Sequence, residues 1–354
     1  MAAHFISNKF SEMGLLAKGT ATDNPYFQPF DIYDGKVVDG DSYFSVNGKK
    51  ATLFLDYFPL SNSSKILLNS SISPSINEKG QPWMIDLADD LNDQKDNPHF
   101  DVQNLINEKL KLCKEKEVPF VIFCNSSSIN DNIKFDPKDR SQVSDVPAIF
   151  LTKSGKNALL SDDASDYKID AQISVSPSYR KARNVIGYID NKASLTVVIG
   201  AHFDHLGFGQ DGNSMIRNGE PAIHNGADDN ASGTASMIEL AFALKKSKAK
   251  QYNYLFIAFS AEELGLNGSK YFVENPTIDL KTINYMINMD MVGRMNDSTK
   301  TITVGGYGTS SAWDSMLSSV TDKGFSIKID STFLFETTKQ TQSLQYQNER
   351  PGEA

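Results

Sequence analysis

The stretch from Val197 to Gly293 constrains this chain more than any other. It reads VVIGAHFDHLG, then GADDNASGTASMIEL, then YNYLFIAFSAEELG, then INYMINMDMVG. Val197–Gly200, Tyr252–Phe259 and Ile283–Ile287 are short, apolar, β-prone runs, as expected of strands buried in a parallel sheet. The first ends at His202, Asp204 and His205, the second at Glu262 and Glu263, and the third at Asp290. Open α/β sheets carry their chemistry just beyond the carboxyl ends of such strands. Bringing that many acids together is costly unless something positive sits among them. A metal ion is the simplest candidate.

Length and composition narrow the class. The 354 residues suffice for two domains and a sizeable core. Hydrophobic residues make up 40% and charged residues 22%, which is ordinary for a globular protein. The net charge of −9, with no basic stripe to offset it, argues against a nucleic-acid partner. No apolar run approaches the length of a membrane span, and MAAHFISNKF carries no visible signal peptide. Cys113 and Cys124 lie in apolar or amphipathic runs and read as two buried thiols, although spacing alone leaves a disulfide open.

Along the chain, residues 2–16 place Ala2, Phe5, Ile6, Met13 and Leu16 at helical spacing, with Gly14 and Gly19 near the end. Residues 20–40 are rich in turns. Residues 41–175 have a different texture: strands are expected at Thr52–Tyr57, Lys65–Asn69 and Pro119–Cys124, and a helix at Val102–Lys116. Loops rich in Ser, Asn and Asp separate them. Nothing there has metal-ligand spacing, and His99, beside Pro98, reads as a surface or packing residue. Residues 176–196 read as a strand re-entering the main domain, with a turn at Asp190-Asn191.

Each chemical feature has an ordinary reading as well as a functional one. His202 and Asp204 point the same way if the segment is extended, which suits a ligand and the carboxylate that orients it, but a polar loop would look the same. Asp228 and Asp229 precede a helix whose apolar face includes Met237, Ile238, Ala241 and Leu244; acids there are common as caps. The flanking Gly226 and Gly233 instead suggest a sharp turn or a close approach. Glu262 and Glu263 could divide labour between metal and water. Asp290, set among apolar neighbours in NMDMVG, reads as a buried aspartate, which needs a metal, a cation or donors.

Together the motifs, strand–HxDH, GADDxxSG–helix, strand–AEELG and strand–NMDMVG, resemble the co-catalytic zinc exopeptidases. That family includes bacterial leucyl aminopeptidase, plasma glutamate carboxypeptidase and, as a metal-free relative, the transferrin receptor. The resemblance covers residues 176–325 and implies an α/β fold, a mostly parallel mixed sheet flanked by helices. Residues 1–40 would open the peptidase domain and 176–330 would complete it. Residues 41–175 would be an inserted, smaller α+β domain, resembling a protease-associated domain in the run from Val118–Cys124 to VPAIFLTKSGKNALL.

Carried over residue by residue, the resemblance implies that His202 and Asp290 bind one zinc, Asp229 bridges two, and Glu263 binds the second. Glu262 would be the general base, Asp204 would orient His202, and Asp228 would hold an unusual peptide geometry before the bridging residue. The expected activity is hydrolysis of an N-terminal peptide bond by metal-activated water, on a peptide with a free N-terminus; carboxypeptidase relatives leave that end of the substrate open. Manganese or cobalt could replace zinc. The family is usually exported.

One departure stands out. The family supplies a last histidine ligand downstream, whereas the five histidines here are His4, His99, His202, His205 and His224. His205 reads as a loop-fixing residue and His224 lies in a Gly/Asn-rich loop. The second zinc site therefore looks incomplete, residues 331–354 read as an atypical tail, and the chain looks truncated at both ends with impaired activity. Two alternatives remain: a non-catalytic binding homologue of the same fold, and a glutaminyl cyclase-like transferase with one zinc. Metal count and turnover of an aminoacyl-anilide separate the three.

Overall fold

The structure, a computed structural model, describes residues 1–216, 222–295, 298, 300–320 and 324–330; the tail expected at 331–354 lies outside them. The chain divides into two compact units, Met1–Ile32 with Lys181–Ala354, and Tyr33–Arg180.

The first unit is built on a mixed sheet. Strand Thr196–His202 lies at its centre, parallel to Asn253–Phe259 on one side and to Ile283–Asn288 on the other. Val175–Ile189 runs antiparallel beside Asn253–Phe259, and Leu16–Ala17 and Phe27–Val38 pair with it in turn. Thr196–His202 and Asn253–Phe259 are buried along their whole length, which is why they read as continuous apolar runs. Their side chains still alternate between faces. Val197, Ile199, Ala201, Tyr254, Phe256 and Ala258 meet Ile6 and Phe10 of helix Ala2–Glu12 and Met237 and Ala241 of helix Gly233–Lys246. Val198, Leu255, Ile257 and Phe259 meet Phe272 of helix Asn267–Glu274 on the opposite face. The three parallel strands therefore end at the same edge, and so do the residues that follow them.

The first helix stops at Glu12 rather than running to residue 16, because Gly14 turns left-handed (φ 66°) and Leu16 already pairs with Tyr188. The strand re-entering this unit is Val175–Ile189, and the loop after it is closed by Asp190 Oδ1 accepting from the Lys192 amide at 2.8 Å.

The second unit has two four-stranded sheets among its described residues. One contains Tyr43–Val46, Ile66–Ile72 and Tyr167–Ile173; the other contains Tyr57–Pro59, Trp83–Asp86, Val121–Cys124 and Ala148–Leu151. Helix Val102–Glu115 is capped by Asp101, whose carboxylate accepts from the Gln103 and Asn104 amides, and it buries Ile106, Leu110 and Cys113. Cys113 and Cys124 are both buried free thiols. The strand expected at Thr52–Tyr57 is instead a turn leading into Tyr57–Pro59. Asp56 accepts from the Thr52 amide at 2.8 Å, and Phe54 lies at φ 63°. A turn of this kind satisfies the backbone locally, and an apolar pattern cannot distinguish it from a short strand.

Candidate metal centre

His202, the last residue of the central strand, is only 3% exposed. Its carbonyl accepts from Thr234 Oγ1 at 2.8 Å, which ties the strand end to helix Gly233–Lys246. Its ring Nδ1 lies 3.1 Å from the Asp204 carbonyl oxygen and 3.7 Å from Asp204 Oδ1. Both are acceptors, so in the neutral ring that a metal would require, Nδ1 carries the hydrogen and Nε2 offers its lone pair. That lone pair faces Asp229 Oδ1 at 3.1 Å and Asp290 Oδ1 at 3.5 Å. Such a lone pair facing two carboxylates would be repulsive, and either a proton on the ring or a metal cation among them reverses the sign. The ring's own protonation shows the same demand: burial opposes charge on it, yet Asp204, Asp229 and Asp290 push its pKa up to about 12.

Asp229 has a second oxygen turned elsewhere. Oδ2 lies 3.8 Å from His205 Nδ1, and His205 Nδ1 lies 2.7 Å from Glu263 Oε1. One carboxylate thus faces two groups of donors, His202 with Asp290 and His205 with Glu263. The backbone makes this possible. Asp229 (φ −101°, ψ 94°) and Asn230 (φ −134°, ψ 47°) are not helical, and the regular helix begins only at Gly233. The acids in GADD are therefore not caps. Asp229 is held below the usual carboxylate range, chiefly by the bond to His202 and against burial.

The paired glutamates are set by Asp204, whose carboxylate accepts from the Glu262 amide at 3.1 Å and the Glu263 amide at 3.3 Å. Ala261, just before them, has φ 58°, a left-handed conformation uncommon for a residue with a Cβ. Burial, followed by Glu263, Asp204 and Asp290, pushes Glu262 up to about 7 against the pull of His202. Burial and the Asp229 charge also raise Glu263, with the His205 bond opposing them. Glu262, His202 and Asp290 line one cavity of about 70 Å³, walled by apolar residues including Val198, Ile257 and Phe272.

The donors fit a dication. Ligands about 2.0–2.2 Å from a tetrahedral zinc stand roughly 3.4 Å from each other. The 3.1 and 3.5 Å spacings at His202 match that figure, whereas 2.7 Å between His205 and Glu263 is a direct hydrogen bond. His205 accordingly holds Glu263 in place, in keeping with its reading as a fixing residue. His224 is placed apart from both groups, with Nε2 3.0 Å from Ser214 Oγ.

All six expected site residues, His202, Asp204, Asp229, Glu262, Glu263 and Asp290, come together at this edge of the sheet, with roles that differ in detail. Asp290 is 45% exposed rather than buried, because Ile283–Asn288 is the outer strand of the sheet among the described residues. Asp204 meets His202 mainly through its carbonyl, since its carboxylate is occupied by the glutamate amides. The cis peptide bond lies between Asp229 and Asn230, after the central acid rather than before it. Asp228 instead accepts from the Gly293 amide at 2.9 Å. Sequence reasoning passed over Asn230 and Ser232, the polar residues of the same GADDNASG run.

At the strand ends of this α/β sheet, imidazole and carboxylate groups gather around a shared aspartate in two sets that could each hold a metal ion. Residues 184–339 match the model of peptidase family M28. The chain is 29% identical over 177 residues to aminopeptidase YwaD of Bacillus subtilis, covering 49% of this chain and 34% of that protein. It is 32% identical over 153 residues to a probable lipoprotein aminopeptidase, LpqL, of Mycobacterium tuberculosis, covering 43% and 27%. The chain thus spans about a third of these relatives' length. Among solved structures, a zinc aminopeptidase from Bacillus subtilis is 20% identical, with a TM-score of 0.40 over 93% of this chain and 73% of that one. A glutaminyl cyclase from Bacteroides thetaiotaomicron is 23% identical, with a TM-score of 0.35 over 43% and 57%. No helix among the described residues is long and apolar enough to cross a membrane.

Proposed function

We propose that this chain carries the metal centre of a zinc-dependent aminopeptidase that hydrolyses the N-terminal bond of peptides. The observation behind the proposal is Asp229, with one oxygen toward His202 and the other toward the His205–Glu263 pair. His202, Asp229 and Asp290 would hold one ion; Asp229 and Glu263 would hold another, with His205 fixing Glu263. Such ions, when bound, polarise a scissile carbonyl and acidify water.

The chain's own residues supply the rest. Asp204 fixes the glutamate pair by accepting both of their amides, so the Glu262 carboxyl has a set backbone to work from. Glu262 takes a proton from the attacking water and returns it to the departing amine. The surplus of carboxylates attracts the free α-ammonium of a peptide, which favours an aminopeptidase over a carboxypeptidase. Export of the protein is part of the same reading and rests on the family's usual destination.

The test is turnover of an aminoacyl-anilide with zinc supplied. Glu262→Gln should abolish hydrolysis while zinc content stays unchanged, because the neutral amide cannot accept the proton. Hydrolysis by the Glu262→Gln protein at the parent rate would refute the assignment.

A further inference from the structure

Asp229 and Asp290 come from different segments of the chain and point toward one nitrogen, so their separation depends on what fixes those two segments to each other. The residue between them is Asn230, 1% exposed and outside every role assigned so far. Its Nδ2 donates to the Met289 carbonyl at 2.9 Å. Its Oδ1 accepts from the Met291 amide at 3.3 Å and from the Gly233 amide at 2.9 Å. One side chain therefore grips the peptide groups immediately before and after Asp290, while its own backbone continues directly from Asp229. Two bonds alongside reinforce it: Ser232 Oγ accepts from the Val292 amide at 3.0 Å, and Asp228 Oδ1 from the Gly293 amide at 2.9 Å. The far side is held as well, by the Met289 amide donating to the Gly200 carbonyl of the central strand at 2.9 Å.

We infer that Asn230 is a positioning residue that sets the Asp229–Asp290 separation and so pre-organises the first ion site in the zinc-free protein. This deepens the metal reading and rests on it. Buried side-chain amides that satisfy several backbone groups fix one geometry, because each unmade bond is costly in a low-dielectric interior. Residues that orient ligands typically change metal affinity 10–100-fold when replaced. Asn is specifically required: Asp in its place keeps the acceptor but sets an oxygen against the Met289 carbonyl.

The test compares zinc affinity, by competition with a chelating dye, in the parent chain, Asn230→Ala and Asn230→Asp. Both variants should bind the first zinc about 10–100-fold more weakly. The increase in melting temperature on adding zinc should shrink more than the zinc-free melting temperature falls, a pattern that a purely structural residue would not give. Affinity within twofold of the parent in a folded variant overturns the inference. Amide hydrogen exchange on the unaltered zinc-free chain gives a readout that does not depend on the variants folding. Met291 and Gly233 amides should be protected before zinc is added, and free exchange there until zinc arrives also overturns it. A parent chain that binds no zinc refutes the metal reading instead, and the amide protection then judges the clamp alone.

Discussion

Gly233→Ala gives a prediction whose sign separates packing at the centre from helix propensity. Gly233 is the first residue of helix Gly233–Lys246, with ordinary helical angles (φ −64°, ψ −43°), so alanine is locally compatible. Propensity alone would favour alanine by up to about 1 kcal/mol. The surroundings reverse this. A Cβ would lie 2.3 Å from the Met289 carbonyl oxygen and 2.4 Å from Asn230 Oδ1. Neither is the end of a flexible side chain: one is backbone, and the other is locked by hydrogen bonds. Relief requires the Asp290 loop or the Asn230 amide to move by nearly 1 Å, and overpacking of this kind costs about 1–3 kcal/mol. A shift that large also exceeds the roughly 0.5 Å tolerance of a working site. Thermal unfolding without zinc should show a lower melting temperature for Gly233→Ala, and titration should show weaker zinc binding. A variant that melts at or above the parent, with zinc affinity unchanged, would refute the packing argument.

Other outcomes follow from the same structure. Chelation of zinc should lower the melting temperature, because an ion at 100 times its dissociation constant stabilises the folded state by about 2.7 kcal/mol; differential scanning fluorimetry with and without chelator reads it. Cys113 and Cys124 should resist alkylation at pH 8 in the native state and react on unfolding, as mass spectrometry would show. Burial pushes their thiols up to about 11 and about 12, so raising the pH within the native range exposes almost no thiolate. Phe256→Ala, at the fully buried centre of the main sheet, should cost about 3–5 kcal/mol by denaturant unfolding.

The sheet was legible because its strands announce themselves. Val197–Gly200 and Tyr252–Phe259 lie in strands buried along their length, and continuous apolar runs are how such strands read, while Ile283–Ile287 is apolar but only half-buried at the outer edge. The site was legible because ionisable residues close each run, and strands that end at one edge bring those ends together. What escaped was set by backbone geometry. The turn at Phe54 carries the apolar pattern of a strand but places its residues by a local carboxylate–amide bond. The cap reading of Asp228 and Asp229 stayed open beside the metal reading because a spacing rule cannot see that residues 229 and 230 leave helical angles before Gly233. Asn230 left no sequence signal of its role, since its partners are backbone groups some sixty residues on. Asp290 was expected to be buried from its apolar neighbours, and its place beside an outer strand exposes it.

The central claim is that Asp229 stands between two ion sites and that His202 Nε2 faces a cation. The most direct measurement is anomalous diffraction at the zinc edge from crystals grown with zinc. The account predicts a peak within bonding distance of His202 Nε2, Asp229 Oδ1 and Asp290 Oδ1, with any further peak on the Asp229 Oδ2–Glu263 side. A zinc-saturated crystal with no anomalous peak against His202 and Asp229 would contradict it.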